Sequence, residues 1–162
     1  MSPVPAPAVP RTGPPAGPPP RPAARRRADI EEMFTGERHL WLATAGPDGP
    51  HMIPLAFAWD GTDLVMMTRR GSRTVANLRR TVRARAALGT ARDVVLVDGP
   101  VSLREPAELP GRVRALFDRL PLNPDRVPGV IALCLRPERI SAWRGLPEIP
   151  GRTVMSGGDW LG

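Results

Sequence analysis

Six consecutive residues, Thr68-Arg69-Arg70-Gly71-Ser72-Arg73, hold the densest chemistry in the chain. They follow the apolar run Leu64–Met67 and precede Val75, Leu78 and Val82, which recur at helical spacing. The segment is therefore a strand end running into a helix start. A helix start presents unpaired N–H groups and a partial positive charge, and both suit phosphate. Gly71 lets a ligand approach the backbone, and Ser72 can cap the helix or donate its hydroxyl to a phosphate oxygen. Arg69, Arg70 and Arg73 offer planar forks for bidentate phosphate contacts. A serine cap beside solvated arginines is the plainer alternative. These six residues alone leave both readings open.

The elements around this junction are short. Asp29 is positioned to cap a helix through Phe34. His39–Ala45 reads as a strand, Pro47-Asp48-Gly49-Pro50 as a turn, and His51–Trp59 as a second strand. Asp60-Gly61-Thr62-Asp63 makes a hairpin into a third strand, Leu64–Thr68. On the second strand Ile53, Leu55, Phe57 and Trp59 share one face, and Met52, Pro54, Ala56 and Ala58 share the other. Two apolar faces in an antiparallel meander imply a barrel covered on its outside, for which a second subunit would serve. A helix over Ser72–Val82 follows. Strands are expected at Arg83–Leu88 and at Val94–Leu103, the latter broken at Asp98-Gly99-Pro100 by a turn or bulge. A second amphipathic helix is expected over Pro110–Leu120, with Val113, Leu116, Phe117 and Leu120 inward. Val130–Leu135 and Arg139–Trp143 would close the sheet. The domain plan is a Pro/Arg-rich disordered tail over 1–27, a barrel over 28–143 and an irregular extension over 144–162.

Composition narrows the partners. The chain has 162 residues, 23 basic and 16 acidic, and the formal net charge is +7. Every basic residue is arginine. Residues 1–27 carry five arginines and no acid, leaving 18 arginines against 16 acids in the body. The basic signature thus belongs mostly to a tail that holds ten prolines in its first 22 residues. One cysteine, Cys134, forms no internal disulfide, and with His39 and His51 it makes no zinc-ligand cluster. No apolar run is long enough to span a membrane, and no secretory signal is evident. The expectation is a cytoplasmic protein without a metal site.

The order of these segments, ending in Thr68-Arg69-Arg70-Gly71-Ser72-Arg73 and Val75-Ala76-Asn77-Leu78-Arg79, resembles the pyridoxamine 5'-phosphate oxidase-like split-barrel flavoproteins over about residues 29–143. The resemblance implies a mostly β (α+β) split barrel of six to seven antiparallel strands with two or three short helices. It implies a homodimer that binds FMN or coenzyme F420 in grooves at the subunit interface. Thr68, Arg69, Arg70, Ser72, Arg73 and Asn77 would hold phosphate and ribityl groups. Ile53 and Pro54 would lie against the isoalloxazine-type ring. The last strand, Pro137–Arg144, and the residues after it lack the basic motif with which true pyridoxamine phosphate oxidases hold their substrate. The expected branch is the smaller F420- or FMN-dependent reductases.

Three arginines within five positions, with Arg79 and Arg80 further along the helix, exceed what one phosphate needs. That surplus favours F420, whose phosphate continues into an acidic tail, and GC-biased codon usage is the competing explanation. The implied reaction is hydride transfer to an unsaturated small molecule, with no general acid evident. His39 and His51 are each as consistent with surface positions. Trp143 and Cys134 read as core residues. Two alternatives are a tetrapyrrole-binding split barrel using His39 or His51 as a haem ligand, and a nucleic-acid-binding small barrel. The seven aromatic residues sit mostly in apolar strand patterns, which weakens the nucleic-acid reading.

Overall fold

The structure is a computed structural model and describes residues 17–162. Six strands form an antiparallel ring: β1 (His39–Gly46), β2 (Gly49–Trp59), β3 (Leu64–Arg69), β4 (Arg83–Thr90), β5 (Asp93–Arg104) and β6 (Val130–Leu135). The strand order β4-β1-β2-β3-β6-β5 closes through pairing of β4 with β5. This is the split barrel expected from the sequence. Beyond β5 the sheet continues as β7 (Arg139–Trp143), β8 (Thr153–Ser156) and β9 (Asp159–Trp160).

β5 runs without a break where an interruption at Asp98-Gly99-Pro100 was expected. Val94–Asp98 pair with β7 and Val101–Arg104 pair with β6, so the tripeptide is a corner at which one strand changes partners. Gly99 is required there, because a Cβ would overlap the Arg136 carbonyl oxygen.

Apolar side chains inside the ring, among them Leu40, Leu42, Met66, Val97, Leu133 and Leu135, pack with Ile30 and Phe34 of α1 (Ala23–Gly36) and Val75 and Leu78 of α2 (Arg73–Thr81). Each such side chain contributes about 1.5–3 kcal/mol on burial. A second cluster lies outside the ring. There Val65, Met67, Ala132 and Cys134 are covered by Leu109, Val113, Phe117 and Leu120. Strands with two dry faces therefore exist, but they are β3 and β6. On β2, Met52 is 60% exposed and Pro54 is also exposed, so its outer face is bare over that half.

Three expectations are corrected by the chain's ends and linkers. Helix α1 begins at Ala23, six residues before Asp29, directly after Pro22 and without a side-chain cap. Arginines and alanines propagate a helix well, and Asp29 is buried within it as an ion-pair partner. Of the tail read as disordered, residues 23–27 are thus helical, and residues 1–16 lie outside the described range. The expected helix over Pro110–Leu120 is one turn of α-helix, α3 (Gly111–Arg114), followed by a 3₁₀ turn at Phe117–Arg119. Tighter i→i+3 bonds from Leu116 and Arg119 replace the α pattern, while Val113, Phe117 and Leu120 are still buried. Finally, residues 144–162 are not irregular throughout, since they supply β8 and β9.

An ionic clasp binds the two ends. Arg21 donates to Glu148 from Nε and Nη2 and to Asp29 from Nη1. Arg144 joins through its backbone N–H to Glu148 and its guanidinium to Asp93.

Candidate functional site

The β3–α2 junction is a capped helix start with open donors. Ser72 caps α2 by accepting from Val75 N–H at 3.3 Å, and Ala76 N–H donates to the Ser72 carbonyl at 3.1 Å. The N–H groups of Arg73 and Thr74 have no acceptor among the described residues. Capping and phosphate binding are compatible here, because the Ser72 hydroxyl proton is not used by the cap. The Thr74 side chain is fully buried, and its Oγ1 has no hydrogen-bond partner. A buried hydroxyl without a partner costs roughly 1–3 kcal/mol. Together with two open N–H groups it fits a site that a phosphate-bearing cofactor would satisfy. Nothing occupies the space beside Gly71.

The arginines diverge. Arg69 is exposed, and Arg73 is exposed with Asp48 at 3.9 Å. Arg70 is drawn away into a bidentate pair with Glu105 and also donates to the Val130 carbonyl at 3.3 Å. The Arg70 side chain raises no barrier to ionisation of Glu105, whose carboxyl it holds below the ordinary value. Thr68 is 5% exposed and its peptide is in register with Ile131 of β6. Asn77 is buried and donates from Nδ2 to Thr44 Oγ1 at 3.0 Å, fastening α2 to β1. Of the residues expected to hold phosphate, Arg69, Ser72 and Arg73 gather at the junction; Arg70, Thr68 and Asn77 have internal partners or positions. Sequence reasoning missed Thr74 and Glu105. Thr74 was legible as the second residue of an anion-binding helix start, whereas Glu105 comes from 35 residues beyond Arg70 and left no local signal.

The second half of the site is a gap between β2 and β3. They pair only from Phe57–Met66 to Trp59–Leu64. Phe57 N–H donates to the Arg38 carbonyl at 3.0 Å, which assigns the odd residues of β2 to the β1 ladder. The even residues, Pro50, Met52, Pro54 and Ala56, turn their peptide groups toward β3. Two of the four are prolines, which have no N–H to leave unpaired. Arg70 N–H donates to the Gly129 carbonyl, so on β3 it is Met67 and Arg69 that face the gap. Pro54 is thus on the wall of this gap, and Ile53 is half-buried behind it. A flat polar ring entering the gap would meet peptide donors and acceptors along one edge and the α2 start at one end. Five clefts of the described residues, of about 290–520 Å³, are lined by other residues than Arg69–Arg73. The groove is open on the side where Trp41 and Met52 are bare.

His39 is exposed and His51 half-buried. His39 faces Ala56, five positions along β2 from His51, a separation of roughly 17 Å. One iron cannot take both from the same chain. Burial pushes the Cys134 thiol up to about 11, which keeps it protonated and unreactive. No helix among the described residues is long and apolar enough to cross a membrane.

A closed six-stranded ring with a parted β2–β3 seam and an anion-ready helix start defines a split-barrel protein, and solved structures agree on that fold. General stress protein 26 from Bacillus anthracis is 22% identical and covers 72% of this chain and 92% of its own, with a TM-score of 0.57. A protein named F420 reductase is 23% identical over 68% of this chain and 94% of its own, with a TM-score of 0.56. A haem-binding protein from Mycobacterium smegmatis is 21% identical over 85% of this chain and 59% of its own, with a TM-score of 0.63. No curated protein matches the chain. A family model described as pyridoxamine 5'-phosphate oxidase matches residues 27–144, and the chain belongs to that family.

Proposed function

We propose that the protein is a flavin- or deazaflavin-dependent oxidoreductase that works as a homodimer, with coenzyme F420 preferred to FMN. One observation carries the reading: the seam between β2 and β3 ends on the open N–H groups and unpartnered hydroxyl of the α2 start. The cofactor, when bound, supplies the hydride chemistry at its ring. The chain's part is positional. Arg73 and Thr74 N–H groups, the Ser72 and Thr74 hydroxyls and the Arg69 and Arg73 guanidinia hold the phosphate. The unpaired peptides of Met52, Ala56 and Met67 orient the ring, with Pro54 and Ile53 against its face. Arg79 and Arg80 lie exposed on α2 and suit an acidic tail beyond the phosphate, which favours F420. The pairing of Arg70 with Glu105 removes one arginine from that surplus.

A second copy of the chain completes the groove. Trp41, 50% exposed, is in register with both Pro54 and Ala87, and Ala43 is in register with Met52. The shared outer face is apolar at Trp41, Met52 and Pro54 and is bordered by the Arg85–Asp98 ion pair beside Ala43, and covering it would enclose the ring. The substrate is an unsaturated small molecule, admitted beside the ring between the two subunits.

Titration of the purified protein with F420 and with FMN, followed by ring fluorescence, tests the reading. Binding at micromolar concentration is expected, tighter for F420. Reversing the charge with Arg73→Glu is expected to weaken binding at least about tenfold, as loss of a charge-assisted contact does. An unchanged affinity removes Arg73 from the site, and failure of both cofactors to bind overturns the reading.

A further inference from the structure

We infer that the cleft between α1 and the β8–β9 hairpin is a second ligand site, for a planar aromatic ring bearing one carboxylate. The cleft has a volume of about 520 Å³, within the ~300–1,000 Å³ of small-molecule pockets. Its floor is Phe34, Trp59, Ile140, Met155 and Trp160. Phe34 and Trp59 are tilted at 48° with centroids 4.9 Å apart, and because Phe34 is buried, the half-buried Trp59 is the ring of this pair that meets the cleft. Trp160 is half-buried. The Arg27 guanidinium lies 5.1 Å from its ring centroid, a cation–π contact made at the rim.

The rim sets the ligand's charge. Arg27 uses Nε on Glu31 at 2.9 Å, and Arg136 uses Nε and Nη2 on Asp63. These pairs bring the rim close to neutral, which disfavours a polyanion such as a nucleotide. They also leave both Nη groups of Arg27 and Nη1 of Arg136 without an acceptor among the described residues. A single carboxylate can take those donors without displacing Glu31 or Asp63. A flat ring has Trp59 and Trp160 as aromatic partners beside the Arg27 cation, whereas a flexible alkyl chain has no comparable partner for that cation.

This cleft is separate from the β2–β3 seam. It opens at Trp59, Gly61 and Thr62, at the start of β3, while Arg69 ends the strand roughly 20 Å away. The inference therefore stands or falls apart from the cofactor reading.

The test is calorimetric titration of the full chain with 2-naphthoate, with 2-naphthamide as the uncharged analogue and dodecanoate as the alkyl competitor. Naphthoate is expected to bind below about 1 mM. Trp160→Ala should weaken it roughly three- to tenfold by removing a stacking face. Arg27→Gln should weaken naphthoate while leaving naphthamide unchanged. Circular dichroism of both variants establishes that they fold, and saturating FMN should not displace the ligand. No binding, equal affinity for the Trp160→Ala variant, displacement by FMN, or preference for dodecanoate would each overturn the assignment.

Discussion

Replacing Glu148 by glutamine probes the clasp that ties both ends of the described chain to the barrel. Glu148 is 4% exposed and accepts from Arg21 Nε at 2.8 Å, Nη2 at 2.7 Å and backbone N–H at 2.9 Å. Arg144 N–H adds a fourth bond at 2.6 Å, and Asp29 and Asp93 share the same guanidinium. The Arg21 side chain is the main reason that the Glu148 carboxyl sits at about 2 rather than the ordinary 4.5. One pKa unit corresponds to about 1.4 kcal/mol, so the pairing contributes at most about 3.5 kcal/mol at neutral pH. Because the folded value is depressed, that contribution is complete above pH 4.5 and is lost as pH falls toward 2. Glu148→Gln keeps the shape, turns an amide toward the Arg21 donors and leaves that arginine short of a partner. A loss of about 2–4 kcal/mol at neutral pH is expected. Urea unfolding followed by tryptophan fluorescence, at neutral pH and through the acid range, measures it. The wild-type chain should lose stability on acidification through this window, and the variant should show a flatter acid limb. Equal stability at neutral pH, or superimposable acid limbs, refutes the clasp as an energetic feature.

Two further outcomes are expected. Glu105→Gln releases Arg70 toward the junction and should tighten phosphate-cofactor binding roughly two- to fivefold, the modest effect of an exposed pair; fluorescence titration reads it, and weaker binding would mean that Glu105 supports the site. Val82 ends α2 in the left-handed region with φ of 50°, a poor conformation for a β-branched residue, and is 57% exposed. Val82→Asn should therefore raise unfolding stability by about 1 kcal/mol, and a lower melting temperature would contradict that.

Much of this molecule was legible in its pattern of residues. Short apolar runs between turn residues marked β1 to β3, the 3.6-residue period marked α2, and Ser72 marked its start. The less visible features depend on distant partners. Asp29 looks like a helix cap, and only the arrival of Arg21 and Arg144 makes it a buried ion-pair residue. Pro54 looks like an ordinary member of an apolar strand until the β2–β3 register shows that its peptide faces a gap. Arg70 looks equivalent to Arg69 and Arg73, yet Glu105, brought in by the pairing of β5 with β6, takes it out of the set. The short strands β8 and β9 hide in a Gly- and Pro-rich stretch because the pairing of β8 with β7 and of β9 with β8 carries them, not their own propensity.

The parted seam also has a mechanical meaning. Each wall is hydrogen-bonded from behind, β2 to β1 and β3 to β6. Widening the seam therefore bends two strands away from their shared pairing at Phe57–Trp59 without unzipping either outer ladder. Under the proposed function, a flat ring would enter or leave by flexing the walls. The rest of the barrel, closed through β4 and β5, keeps its pairing throughout.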